Sequence, residues 1–172
     1  MRNLSKKKYN LEYGQTLIEV LLALAIAVIV ITSIGIAVIT SLNNATYSKN
    51  QNLANNYAQE GMDVVRSIKD RSWDEFLNLP GGQDKCLPEN TNQLVPRSGP
   101  DCDGEANIGV FVREVTIENN NIDCRPSGPP LPNSYSKVTV SVQWKDGVCS
   151  PGVYCHEARL ISCFVKKVVS AP

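Results

Sequence analysis

The stretch Gly14–Leu42, GQTLIEVLLALAIAVIVITSIGIAVITSL, decides what kind of chain this is. From Val20 to Ile39, twenty residues pass without a charge. At about 1.5 Å per residue such a helix is roughly 30 Å long, the thickness of a bilayer's hydrocarbon core. The run is apolar on every side, so it is no surface amphipathic helix. It is too long for a secretory h-region, and no A-x-A-like cleavage site follows it. The segment reads as a membrane-spanning helix, with two details a plain anchor does not need: Gly14 directly before Gln15, and the carboxylate Glu19 at the mouth of the apolar run.

Working outward, Arg2, Lys6, Lys7 and Lys8 precede the span, and Lys49 is the only basic residue in the twenty that follow it. The positive-inside rule puts the N-terminus in the cytoplasm and the remainder outside. A carboxylate at the centre of a membrane helix costs about 2.5–3.5 kcal/mol, less near the interface. Such a group needs a partner. A cut after Gly14 would give Gln15 a new α-amino group, one helical turn before Glu19. Amine and carboxylate attract strongly where the dielectric is low, within one chain or between neighbours.

The run Gly14-Gln15-Thr16-Leu17-Ile18-Glu19-Val20, behind a short basic leader and ahead of some twenty apolar residues, resembles the prepilin signature of type IV pilins and type II secretion pseudopilins. The resemblance covers about thirty residues. It implies that residues 1–14 are a leader and that prepilin peptidase cuts the Gly14–Gln15 bond. It implies N-methylation of Gln15, and an assembly role for Glu19 against a neighbouring subunit's N-terminus. Two positions depart from the usual pattern. Gln15 stands where phenylalanine is commonest, and Ile36 where many major pilins carry a helix-kinking proline. Gly35 is the only helix-weakening residue nearby. The missing proline points to a minor pilin or pseudopilin. A weaker likeness to the helix end of some minor pilin-like proteins lies in Ala58-Gln59-Glu60-Gly61 and Val65-Arg66 ahead of Trp73.

No proline occurs before Pro80, so one helix is expected from Thr16 to about Asp70, roughly 80 Å of it. Beyond Leu42 the composition turns polar but the period persists. Ala54, Tyr57, Ala58, Gly61, Val65 and Ile68 form one stripe, with Asn55, Asn56, Glu60, Asp63 and Lys69 opposite. Residues 77–107, with Pro80-Gly81-Gly82, Pro88, Pro96 and Gly99-Pro100, read as a long loop. Three strands are expected at 108–118, 137–145 and 153–165. In the second, Val138, Val140, Val142 and Trp144 share a face; the third has apolar residues on both faces, so its buried side stays open. Asn119–Asn121 and Asp146-Gly147 supply turns. The fold class is therefore α+β: a long helix packed on a small antiparallel sheet of three or four strands, the head architecture the pilin resemblance also implies. The parts are a leader at 1–14, a membrane or filament-core helix at 15–42, and an extracytoplasmic head at 43–172.

Cys86, Cys102, Cys124, Cys149, Cys155 and Cys163 all fall in the head. An even count in a loop-rich region reads as disulfides in an oxidising compartment, and no CxxC-like knuckle supports zinc. Fifteen pairings are open. Cys155 and Cys163 lie too far apart on one strand to bond. Cys86 and Cys102 are placed to pin the long loop, and Cys149 and Cys155 flank a Pro-Gly turn, so 86–102, 149–155 and 124–163 is the working assignment.

The seventeen basic and seventeen acidic residues balance. Removing 1–14 takes four basic groups and one acid and leaves a net charge of −3. Nothing in the total points to nucleic acid. His156, the only histidine, reads as a solvated strand residue, and no catalytic set accompanies it. Asp101, Asp103 and Glu105 resemble part of a calcium loop without EF-hand spacing. No phosphate-binding loop is present.

The expected function is therefore structural, with no enzyme activity, no cofactor and no resident metal. The expected partners are prepilin peptidase, other pilin or pseudopilin subunits, an inner-membrane assembly platform, and membrane lipid before assembly. A tip-located module binding DNA, a surface or a secreted substrate through its Pro/Gly/Asn loops is the alternative. A membrane-anchored extracellular enzyme is the third reading.

Overall fold

The computed structural model describes residues 15–80, 82–89, 91–102, 104, 107–127, 132–147 and 149–166. The chain divides into two compact units at Ser48–Lys49. Helix α1 (Gln15–Arg71) begins in the first unit and ends in the second. Helix α2 (Trp73–Leu77) follows at once. Ser72 separates them in an extended conformation, and its hydroxyl accepts the Glu75 N–H at 3.2 Å, an N-cap that restarts the helix.

In the second unit, residues 49–71 of α1 lie against an antiparallel sheet. Its strands are β1 (Asp84–Cys86), β2 (Val95–Pro96), β3 (Asn107–Ile108), β4 (Phe111–Asn119), β5 (Tyr135–Trp144) and β6 (His156–Val165). The order is β2-β1-β4-β5-β6, with β3 paired to β4 beside that path. The α+β class is as expected, but the sheet has more strands than the three or four expected. The additions come from the stretch expected to be a loop. β1 joins the free side of β4, with Cys86 opposite Glu114. Strands of two or three residues carry no readable period, so the ladder partner decides them.

The expected strand at 108–118 is also not straight. It reverses at Gly109-Val110, so that Ile108 pairs with Phe111. Gly109 has φ 62 and takes the first central position of this two-residue turn, a conformation that favours glycine. Asn120, with φ 58, makes the corresponding bend after β4, where its N–H donates to Tyr135 O at 3.0 Å.

The core forms where the two periodicities meet. From α1 come Ala54, Ala58, Met62, Val65 and Ile68; from the sheet come Phe111, Val115, Ile117, Val138, Val140, Val142, Trp144, Ala158 and Phe164. The β5 alternation is as expected, with Val138, Val140, Val142 and Trp144 all fully buried. In β6 the buried side is that of Ala158 and Phe164, leaving Cys163 outward. Lys69, expected on the polar side of α1, is half-buried, with its Nζ 5.3 Å from the centre of the Phe164 ring.

At Gly61, α1 comes close to the sheet. A Cβ there would stand 2.9 Å from Val140 Cγ1 and 3.3 Å from Arg113 Cδ. Val140 is fully buried and β-branched, so it has little freedom to yield. Gly61→Val is expected to destabilise the head by about 2 kcal/mol through overpacking. Gly61→Ala should cost less, because alanine recovers about 1 kcal/mol of helix propensity. Denaturant unfolding followed by tryptophan fluorescence checks both; Trp73 and Trp144, the two tryptophans, lie in the head.

Candidate assembly and membrane segment

The apolar half of α1 is the first candidate surface. None of its most apolar stretch is buried within the chain. Leu17, Ile18, Leu22, Ile26, Ile31, Ile36 and Leu42 are all more than half exposed. So much uncovered aliphatic surface is unstable in water and requires lipid or another apolar surface. The helix is long and apolar enough to cross a bilayer.

Three of the segment's hydroxyls are satisfied along the helix itself. Thr32 Oγ1 donates to Val28 O at 2.9 Å, Ser33 Oγ to Ile29 O at 2.7 Å, and Thr40 Oγ1 to Ile36 O at 2.9 Å. These bonds back onto preceding carbonyls let hydroxyls sit in an apolar medium without outside partners. A carboxylate has no equivalent. Glu19 is the one charged residue between Gln15 and Lys49, it lies in the first turns of α1, and it is exposed. Gln15 is the first described residue of the helix, and Gly14 lies outside the described residues.

The head is fixed by three disulfides, Cys86–Cys102, Cys124–Cys163 and Cys149–Cys155, with Cα separations of 5.5, 5.3 and 5.6 Å. These are the pairs of the working assignment. They tie down three stretches: the one between α2 and β3, the connection from β4 to β5, and the β5–β6 loop. Such bonds belong in an oxidising compartment.

Two buried cations, absent from the sequence reading, finish the head. Arg113 is fully buried on the inner face of β4. Its Nε donates to Leu87 O at 3.2 Å, Nη2 to Pro88 O at 3.2 Å and Nη1 to Tyr57 O at 3.4 Å. Lys85 Nζ donates to the carbonyls of Leu79, Pro80 and Gly82 at 3.2, 2.7 and 2.8 Å, using all three of its protons. Burial lowers the pKa of both; Glu60 opposes it at Arg113 and Asp84 at Lys85. The signal for Arg113 was readable, since it shares the Phe111, Val115 and Ile117 side of an alternating strand. On the outer face, Arg97 bridges Asp84, at 2.7 Å, and Glu114. Burial pushes the Glu114 carboxyl up, against the lowering effect of Arg97.

His156 is half-buried rather than a solvated strand residue. Its ring stacks on Trp144 with centroids 5.3 Å apart, and its Nε2 lies 2.9 Å from Asp146 Oδ2. Of the acidic cluster, Asp101 is described, while Asp103 and Glu105 lie outside the described residues.

No family model, curated protein or solved structure matches the chain.

Proposed function

We propose that this chain is a structural subunit, a minor pilin or pseudopilin, of a type IV pilus or a type II secretion-like filament. One observation carries the reading: an apolar helix that its own chain leaves uncovered, with a single carboxylate near its start, continuing into a disulfide-pinned head. The prepilin-like residues from Gly14 to Val20 supply the rest. Before assembly the helix lies in the inner membrane, N-terminus in the cytoplasm, as the basic residues ahead of it dictate. Prepilin peptidase cuts after Gly14, and Gln15 becomes the methylated first residue. An assembly platform then passes the subunit into the polymer, where neighbouring subunits replace lipid around the helix.

Glu19 sets the register of that exchange. Its charge is costly in an apolar bundle unless a neighbour's N-terminal amine meets it. Contacts repeated head-to-tail in this way build an open helical polymer rather than a closed ring.

Glu19→Ala is the test. Membrane insertion should be unchanged, because removing a charge from an apolar helix favours insertion. Incorporation into sheared filaments should fall by about tenfold or more, the equivalent of roughly 1.4 kcal/mol per contact. Equal incorporation of variant and parent chain, normalised to the membrane pool, would contradict the mechanism.

A further inference from the structure

The loop that closes the β5–β6 hairpin gathers a second constellation, unrelated to filament assembly. Asp146, Cys149, Cys155 and His156 each place one donor atom within 4.8 Å of all the others. His156 Nε2 is 2.9 Å from Asp146 Oδ2, and Cys149 Sγ is 3.6 Å from Asp146 Oδ1. The Asp146 backbone N–H donates to Cys149 Sγ at 3.4 Å. The Trp144 ring beneath the imidazole restrains its orientation. Trp144 and His156 form the last register pair of the ladder, so three of the four donors belong to the loop and can shift without breaking it.

We propose that, when the Cys149–Cys155 bond is reduced, these four residues bind one zinc ion. Two thiolates, an imidazole and a carboxylate make a four-donor set that suits tetrahedral zinc and does not suit the hard ions magnesium or calcium. With zinc–sulfur bonds of about 2.3 Å the two sulfurs must part from bonding distance to roughly 3.7 Å, within the spread the four donors already span.

The chemistry balances without a change at the metal. The disulfide takes two electrons and two protons from an external dithiol, which is oxidised to its own disulfide. Zinc then displaces both thiol protons. Two thiolates and one carboxylate around Zn²⁺ leave a net charge of −1, which the hairpin end carries near solvent. Zinc and disulfide exclude each other, because one sulfur pair serves both. The corner is a redox-gated site: a head arriving outside with free thiols takes zinc here or closes the disulfide. Cys86 and Cys102 differ, being fully buried.

The test uses the full chain in detergent, reduced with a phosphine under nitrogen and freed of metal. Zinc is titrated in competition with a chromophoric chelator, and cobalt is used in parallel for its thiolate and tetrahedral absorption bands. One ion per chain is expected, with Cys149 and Cys155 protected from alkylation. His156→Ala, which removes the only imidazole, should weaken binding at least about tenfold, given that even outer-shell changes cost this much. Cys149→Ser with Cys155→Ser should abolish it, and Cys86→Ser with Cys102→Ser should leave it in place. Tryptophan fluorescence reports whether each variant keeps its fold. Absence of zinc from a chain with alkylatable Cys149 and Cys155 would overturn the proposal. So would equal affinity in the parent, the His156 variant and the Cys149/Cys155 variant, since zinc would then sit on other sulfurs.

Discussion

Removing the Cys124–Cys163 bond, by Cys124→Ala with Cys163→Ala, is expected to cost the head about 4 kcal/mol. The bond joins residues 39 apart in sequence. Closing a loop of that length removes about this much conformational freedom from the unfolded chain. Cys163 points outward from β6, which lies at the sheet's edge, and Cys124 ends the 3-10 turn Ile122–Cys124 on the connection into β5. The bond therefore fastens an edge strand to a connection that has little core of its own. The neighbouring ion pair, Lys137 Nζ to Asp123 Oδ2 at 2.6 Å, is solvent-exposed and substitutes for little of it. The Cys149–Cys155 loop spans only 6 residues in sequence, and its loss should cost about 2 kcal/mol. Denaturant unfolding of the full chain in detergent gives both values. A larger loss from the short loop would contradict the loop-length account.

Arg113→Met should cost about 3 kcal/mol. Methionine fills most of the same space but donates nothing, so the carbonyls of Leu87 and Pro88 lose their guanidinium donors in a buried place, at about 1–3 kcal/mol each. Relief from burying the charge offsets part of this. The contact with Glu60 Oε1, at 3.5 Å, contributes little, because the Glu60 side chain is 58% exposed. Glu60→Gln should therefore change stability by less than about 0.5 kcal/mol. Arg113→Lys should recover only part of the loss, since one ammonium cannot present the guanidinium's fork to three carbonyls. The same unfolding experiment distinguishes the cases: a Glu60→Gln effect as large as that of Arg113→Met would make this an ion pair rather than a hydrogen-bonded strut.

What was legible in the sequence was what repeats. Val138, Val140, Val142 and Trp144 declared a strand and its buried face, and Ala54, Ala58, Val65 and Ile68 declared the helix stripe that covers it. The charge-free run from Val20 to Ile39 declared a helix long and apolar enough to cross a bilayer. Two of the disulfides, Cys86–Cys102 and Cys149–Cys155, followed from the long loop and the Pro-Gly turn that they close. What escaped lacked repetition. β1, β2 and β3 are too short to show a period and exist because β4 and β1 offer free edges. The reversal at Gly109 hid inside a stretch with strand composition throughout. Lys85 looks like a surface residue until loop carbonyls converge on it. His156 acquired its neighbours only when the hairpin brought Asp146 and Trp144 beside it, contacts that no local spacing announces.

The account's central claim is that the chain is a processed filament subunit. Intact mass and N-terminal sequencing of the protein, recovered from membranes of cells with active prepilin peptidase, test it most directly. The account predicts a chain that begins at Gln15, with or without an added methyl group. A chain that still begins at Met1 beside an active peptidase would contradict it.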